Sequence, residues 1–227
     1  VSVPDSLDPA KAVSLVLSYV TAYQMLHRVA DVQPGKRILV HGAGGAVGSA
    51  TLQLGQLLGL DMYGTASRPK HDLVSSLGAT PIDYKREDFV ERIAEETGDG
   101  VDAAFDPIGG EYFKRSFQTL RRGGKLVAYG FYNAIMGEGG SVPLDFIRLQ
   151  LWNLLPNGRS TAFYSIGPWR KNHADWFRQD LSELFRLLAE GEIEPIIWKR
   201  ISLDQVAQAH KMIEQAVPQG KIILTFD

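Results

Sequence analysis

Short apolar runs alternate with longer amphipathic segments along most of the chain, and glycine or proline separates them. The β-branched run 38–40 ends at a glycine cluster, and leucines then recur at helical spacing over 49–60. The same pattern predicts strands at 62–66, 81–84, 101–106 and 125–130, with helices near 70–77, 88–97 and 112–120. This alternation indicates an α/β fold with a doubly wound parallel sheet and helices on both faces.

Two further segments, 10–32 and 131–170, do not follow this alternation. Residues 10–32 form a long apolar stretch that predicts a helix, with Asp8 as its N-cap and Pro9 in its first turn. Residues 131–170 contain several glycines and prolines. We therefore expect irregular connections there, around one short helix at 144–154.

The C-terminal part of the chain predicts a strand, a helix and a strand, at 196–201, 203–215 and 222–226. The helix before them ends at Gly191, where glycine suits a left-handed C-terminal cap. Ser202 and Gln205 have capping-box spacing, which predicts that they close the N-terminus of the last helix.

Composition narrows the class of protein. The chain has 227 residues, of which 44% are hydrophobic and 22% charged, so it can bury a full core. Its formal net charge is −2 and no basic run is dense, which argues against a nucleic-acid or membrane-surface partner. The apolar stretch 12–20 is too short to span a bilayer. We therefore expect a cytoplasmic protein that handles a small molecule.

The glycine-rich loop Gly42–Gly48 lies between a predicted strand and a predicted helix. Main-chain N–H groups and the helix dipole can together hold a pyrophosphate at such a place. The strict dinucleotide pattern is absent, because Val47 occupies the position of its last glycine; the better fit is glycine at 42, 45 and 48. A tight strand-to-helix turn without a ligand is the alternative.

The residues after the second strand indicate which dinucleotide would bind. A domain that prefers NAD usually places an acid there against the ribose hydroxyls, whereas segment 64–70 has none. It offers Ser67, Arg68 and Lys70 instead, which are donors that a 2′-phosphate would recruit. NADPH is therefore the predicted cofactor, and a methyltransferase is disfavoured. The alternative is that Arg68 and Lys70 are ordinary solvated charges.

Several motifs occur in an order that is far more specific than any one of them. They are Thr21-Ala22-Tyr23, Gly42–Gly48, Gly64-Thr65 with Lys70, Ile82-Asp83-Tyr84, Phe105–Gly110, Gly124–Val127, Ala209-His210 and Gly220-Lys221-Ile222. With these motifs the whole chain resembles the medium-chain dehydrogenase/reductases, in particular the zinc-independent quinone oxidoreductase and VAT-1-like group. The resemblance implies a Rossmann-like cofactor domain.

The resemblance also implies a set of cofactor-binding residues. The pyrophosphate would lie on the loop residues Gly44, Gly45, Ala46 and Val47. The 2′-phosphate would be surrounded by Ser67, Arg68, Lys70 and Tyr84. The nicotinamide side would meet Thr21, Gly130 and Phe131. No catalytic residue is assigned within this chain, and Asp106, which precedes a proline at a strand end, is interpreted as a turn former.

Zinc-dependent members of the superfamily have a metal-binding cysteine where this chain has Leu17, and the chain contains no cysteine at all. We therefore expect no metal. Without a Lewis acid the hydride acceptor must be activated by conjugation, as in quinones and other α,β-unsaturated carbonyls. The predicted function is an NADPH-dependent oxidoreductase acting on such substrates. The alternative is a non-catalytic NADP(H)-binding sensor or interaction protein.

The resemblance implies further domain organisation. Family members begin with a GroES-like catalytic domain, of which about a hundred residues or more would be expected before Val1. Residues 1–192 would then be the dinucleotide-binding domain, and 193–227 a segment that returns to the catalytic domain. We expect the chain alone to have little reductase activity. By analogy it would form a homodimer through the strand Lys125–Gly130 as a sheet edge.

Overall fold

One six-stranded sheet forms the centre of the fold in the computed structural model, which describes residues 2–4 and 6–226. All neighbouring strands are parallel, in the order β3-β2-β1-β4-β5-β6. The strands are β1 (Arg37–His41), β2 (Asp61–Ala66), β3 (Ala79–Asp83), β4 (Val101–Asp106), β5 (Leu120–Ala128) and β6 (Ser160–Phe163). The strand order reverses between β1 and β4, so the predicted doubly wound fold is confirmed.

The chain enters the sheet through a continuous helical segment that contains two π-helical turns. These parts are α1 (Pro9–Ser14), a π turn (Leu15–Tyr19), α2 (Val20–Gln24) and a second π turn (Met25–Val29). The predicted N-cap is confirmed, because the carboxylate of Asp8 accepts a hydrogen bond from the Ala10 N–H at 2.8 Å. The π turns widen a helix that the sequence predicted as regular.

The remaining helices follow the strands with short connections. They are α3 (Ala46–Leu57), α4 (His71–Ser76), α5 (Phe89–Thr97), α6 (Glu111–Gln118), α7 (Tyr132–Met136), α8 (Val142–Trp152), α9 (Ile166–Asn172) and α10 (Ala174–Ala189). The chain turns after α10 at Gly191, whose φ of +73° confirms the predicted left-handed cap. No helix in the described ranges is both long and apolar enough to cross a membrane.

Two hydrophobic cores cover the two faces of the sheet. Ile38 and Val40 of β1 lie in one core with residues of the opening helical segment, α3 and α10. Leu39, between them, lies in the other core with phenylalanines of α5 and α6. Successive side chains of a strand point to opposite faces, so a strand covered on both sides is apolar at consecutive positions, here 38–40.

The prediction for residues 131–170 was incomplete. That segment contains α7, α8, β6 and α9, of which only α8 was predicted. Because β6 pairs with β5, the predicted edge at Lys125–Gly130 is wrong, and β6 is the outer strand. The side chain of Asn153 bonds the outward N–H of Thr161 at 2.6 Å and its carbonyl at 3.1 Å. This amide therefore covers part of the new edge.

The C-terminal residues form a separate two-stranded parallel sheet. It consists of β7 (Ile197–Ser202) and β8 (Lys221–Thr225), with α11 (Val206–Glu214) between them. The predicted capping box does not form, because the side chain of Ser202 makes no cap hydrogen bond and a 3-10 turn at Leu203–Gln205 precedes α11. The predicted strand, helix and strand are otherwise confirmed.

Candidate functional site

The C-terminal ends of the central strands bring the glycine loop and the proposed phosphate site together. His41 of β1 is level with Thr65 of β2, and Ala66 is level with Asp83 of β3. The loop after β1, Ser67 after β2 and Tyr84 after β3 therefore emerge side by side. Ligands of doubly wound sheets bind at this end, beside the point where the strand order reverses.

The glycine loop is shaped by two glycines that no other residue could replace without strain. Gly42 has a φ of +65°, in the left-handed region. A Cβ on Gly48 would lie 2.3 Å from the carbonyl oxygen of Gly42, so the first turn of α3 packs directly on the loop. Gly45 caps α3 without a side-chain hydrogen bond, and no acid lies in the first turn. The first N–H groups of α3 have no partner within the helix, as at any helix N-terminus, and this suits an anion.

Two of the four phosphate-side residues are basic, and one of them, Lys70, packs against this loop. Arg68 is exposed, and its guanidinium lies 3.5 Å from the ring of His71. The stem of Lys70 packs on Gly44, where a Cβ would be 2.8 Å from its Cδ. Ser67 is half-buried and Tyr84 is exposed. The strand register thus places the turns after β2 and β3, which carry these four residues, at the same end of the sheet.

The nicotinamide-side residues are less open than the sequence suggested. Thr21 is buried on α2, one turn before Gln24, whose side-chain oxygen accepts a hydrogen bond from the Tyr164 hydroxyl at 2.8 Å. Gly130 lies so close to Pro107 that a Cβ would be 2.6 Å from the Pro107 carbonyl oxygen. The side chain of Phe131 is only 8% exposed and packs among other phenylalanines of the second core. The side chain of Phe131 is therefore a core residue and offers a ligand little surface.

A buried chain of hydrogen bonds beneath the loop was not predicted. The ring of His41 lies 3.0 Å from Thr65 Oγ1 and 2.9 Å from Ser116 Oγ, and the Ser116 hydroxyl donates to Asp106 at 2.6 Å. Burial lowers the pKa of His41, so the ring is neutral. Since Ser116 donates to a carboxylate, it accepts from Nε2–H of His41, and Thr65 donates to Nδ1. These bonds join the ends of β1, β2 and β4.

The structure confirms Asp106 as a turn former. Its other carboxylate oxygen accepts from the main-chain N–H of Ile108 at 2.7 Å and of Gly109 at 3.4 Å. With the Ser116 hydroxyl, both of its oxygens are used inside the protein. Asp106 therefore has a structural role, and its carboxylate is not exposed to a substrate.

A zinc ion does not fit the residues present. Within residues 2–4 and 6–226, no three His, Asp or Glu side chains converge as a metal site would require, and the sequence has no cysteine. Leu17 lies on the outer surface of the opening helical segment with 53% of its area exposed. Its side chain offers no ligand atom.

Comparison with known proteins identifies the family. The family model described as zinc-binding dehydrogenase matches residues 77–224. The chain belongs to this family. It is 31% identical over 232 residues to the human synaptic vesicle membrane protein VAT-1 homolog. Membership in the medium-chain dehydrogenase/reductases, in their VAT-1-like and quinone oxidoreductase group, is therefore confirmed.

Solved structures of family members superimpose on nearly the whole chain. Escherichia coli quinone oxidoreductase in complex with NADPH has a TM-score of 0.85 at 25% identity, covering 99% of this chain and 67% of that one. CurK enoyl reductase also has a TM-score of 0.85, at 27% identity, covering 100% of this chain and 65% of that one. The human VAT-1 homolog is covered to 58% of its length and its zebrafish (Danio rerio) counterpart to 47%, against 98% of this chain. The chain thus spans about half the length of these relatives.

Proposed function

We propose that this chain is the cofactor-binding part of an NADPH-dependent oxidoreductase that reduces quinones or other α,β-unsaturated carbonyls without zinc. The observation that carries the proposal is the placement of Ser67, Arg68, Lys70 and Tyr84 at the same end of the sheet as a glycine loop that opens a helix. Segment 66–71 contains no acid that would select a ribose hydroxyl. A relative solved with NADPH and named as quinone oxidoreductase supports it, as does another named as enoyl reductase.

The residues of the chain hold and orient the dinucleotide in this proposal. When bound, its nicotinamide supplies a hydride, and the acceptor carbonyl needs only hydrogen-bond donors near the developing oxyanion. The N–H groups of Ala46 and Val47 bind the pyrophosphate at the positive end of α3. Arg68 and Lys70 bind the 2′-phosphate. The main chain at Gly130 and the strand end of β5 border the nicotinamide.

Two features of the family's architecture belong to the same proposal. A GroES-like domain would supply most of the substrate pocket, with residues 193–227 returning to it and 1–192 binding the cofactor. The two-stranded β7–β8 sheet, separate from the main one, supports this division. We therefore expect little quinone-dependent NADPH oxidation by the 227-residue chain alone. Robust turnover by the purified chain would contradict that expectation.

We also propose a homodimer. Because β6 and not Lys125–Gly130 forms the edge of the sheet, we place the interface at β6 and the neighbouring helix α8. Helix α8 exposes Leu144, Ile147 and Leu151 beside this edge. Apolar side chains grouped in this way favour an interface between proteins over contact with water. Sedimentation equilibrium distinguishes a dimer from a monomer.

The phosphate site is tested by reversing its charge. In the double variant R68E/K70E, repulsion replaces two charge-assisted hydrogen bonds, so NADPH affinity should fall at least about 100-fold while NADH affinity changes by less than about threefold. Isothermal titration calorimetry measures both. The control K114E/R178E reverses two exposed charges on α6 and α10 and should leave the ratio unchanged. An unaltered NADPH to NADH ratio in R68E/K70E would refute the assigned site.

A further inference from the structure

The C-terminal segment 216–220 lies directly on the glycine loop. The N–H of Gly220 donates to the carbonyl of Gly44 at 3.3 Å, and Gly220 forms a parallel bridge with Gly45. The side-chain amide of Gln219 donates to the carbonyl of Pro69 at 3.3 Å. The segment therefore contacts both the loop after β1 and the turn after β2, which are the two parts of the proposed dinucleotide site.

Tight packing fixes the path of this segment. A Cβ on Gly220 would lie 2.2 Å from the carbonyl oxygen of Ile196, and Gly220 has a φ of +77°. Ala216, at the other end, has a φ of +53°, which a non-glycine residue rarely adopts. The next N–H, of Lys221, donates to the same Ile196 carbonyl at 2.8 Å. Such strained and close-packed positions are maintained where surrounding contacts require them.

Lys70 joins the two sides of this contact. Its Nζ donates to the Pro218 carbonyl at 2.7 Å, while its stem packs on Gly44. An ammonium group has three N–H donors, and this bond uses one of them. Burial lowers the pKa of Lys70, and no Asp or Glu in the described part of the chain pairs with it. A half-buried cation whose one protein partner is a neutral carbonyl is stabilised by an anion.

We propose that the C-terminal segment 216–220 is a third side of the dinucleotide site, which the 2′-phosphate fastens through Lys70. The ammonium group binds the Pro218 carbonyl and the phosphate at the same time, so NADPH holds the segment on the glycine loop more firmly than NADH does. This proposal rests on the proposed function. It adds that cofactor preference depends on residues far from the glycine loop in sequence.

Linkage makes the coupling reciprocal. If the phosphate strengthens the contact between Lys70 and the segment, the segment must strengthen phosphate binding by the same factor. The Pro218 carbonyl holds the ammonium group in one place and so lowers the entropy lost when the phosphate binds. NADH lacks that phosphate, so it gains nothing from the contact.

Hydrogen exchange at the Gly220 amide tests the coupling, because this N–H is hydrogen-bonded to Gly44 only while the segment lies on the loop; the Lys221 amide, which bonds Ile196 instead, is the internal reference. The 227-residue chain is measured free, with NADPH and with NADH, each at saturation established by calorimetry. We expect NADPH to slow exchange at the Gly220 amide at least about tenfold more than NADH, with no such difference at the Lys221 amide. In K70M the two cofactors should give equal exchange. The control K114M, on exposed α6, should behave as the unaltered chain does.

The outcomes separate this proposal from the proposed function. Saturable NADPH binding with equal protection by both cofactors overturns the coupling and leaves the cofactor assignment standing. Faster exchange with NADPH also overturns it, because the phosphate would then take Lys70 away from Pro218. Failure of NADPH to bind at all overturns both. Should K70M unfold, K70Q offers a polar side chain without charge and should likewise remove the difference.

Discussion

Gly48 is a position at which local packing leaves no room for a side chain. Its φ is ordinary for a helix, so conformational freedom is not the reason for glycine there. The reason is distance, because a Cβ would meet Gly42 O at 2.3 Å and Ala43 Cα at 2.7 Å. Both neighbours are main-chain atoms and cannot move aside as a flexible side chain would. The sequence pattern indicated a glycine loop, and the packing explains why this member of it is required.

G48A should therefore damage both the fold and the site. We expect the free energy of unfolding to fall by about 1–3 kcal/mol, as overpacking does, and NADPH affinity to fall with it as α3 moves from the loop. Urea denaturation and calorimetry measure the two effects. Gly167 is the matched control, since it is a helical glycine whose Cβ, if it had one, would meet nothing within 4 Å. Equal behaviour of G48A and G167A would contradict the packing argument.

The buried ring of His41 should make the free energy of unfolding depend on pH. Burial holds its pKa below the ordinary value of 6.5, so below that pH the unfolded chain takes up a proton that the folded chain refuses. Stability is thus complete above about pH 6.5 and falls on acidification, by up to about 1.4 kcal/mol per pH unit for one such group. Urea denaturation from pH 8 to pH 5 measures this slope.

Two variants identify the group that titrates. H41Q should flatten the acid slope, because an amide does not titrate. Burial also lowers the pKa of His27, so H27Q is the matched control and should remove only its own share. A slope unchanged in H41Q would show that the ring beneath the glycine loop is not the group responsible.

Among the helices and strands, hydrophobic periodicity predicted those whose conformation depends mainly on their own residues. The alternation of strands and helices from β1 to β5 is correct because apolar β-branched runs and amphipathic leucine patterns determine each unit locally. β6 was missed because it has only four residues, Ser160–Phe163, and lies among glycines and prolines. Its strand conformation depends on pairing with β5 and on the Asn153 side chain, which are tertiary contacts.

Asn153 should therefore stabilise the outer strand measurably. N153A leaves the N–H and carbonyl of the largely buried Thr161 without these partners, so we expect the free energy of unfolding to fall by about 1–3 kcal/mol. Thermal unfolding followed by circular dichroism measures this. Asn157 also bonds one main-chain N–H, that of Arg159, but at an exposed position. N157A should lower the free energy of unfolding by less than about 0.5 kcal/mol. A similar decrease in both variants would contradict the proposal that Asn153 stabilises the edge of the sheet.

At the scale of the whole molecule, the long-range contacts were not predictable from pattern. Ser67, Arg68 and Lys70 were predicted from the residues after β2, and Tyr84 was added from the family resemblance. The strand register places the ends of β2 and β3 side by side. The bond from Lys70 to Pro218 joins residues 148 apart in sequence, and neither periodicity nor motif spacing indicates it. The same holds for His41 and Ser116, which meet only when β1 and α6 pack. Sequence thus predicted the elements and the cofactor class, while packing determined how the site is held.

The central claim is that this chain binds NADPH at the glycine loop in preference to NADH. Calorimetric titration of the chain with each cofactor tests it most directly. We expect saturable NADPH binding at least about tenfold tighter than NADH binding, since the 2′-phosphate gains charge-assisted bonds from Arg68 and Lys70. NADH binding as tight as NADPH binding, or tighter, would contradict the phosphate site, and binding of neither would contradict the proposed function of the chain.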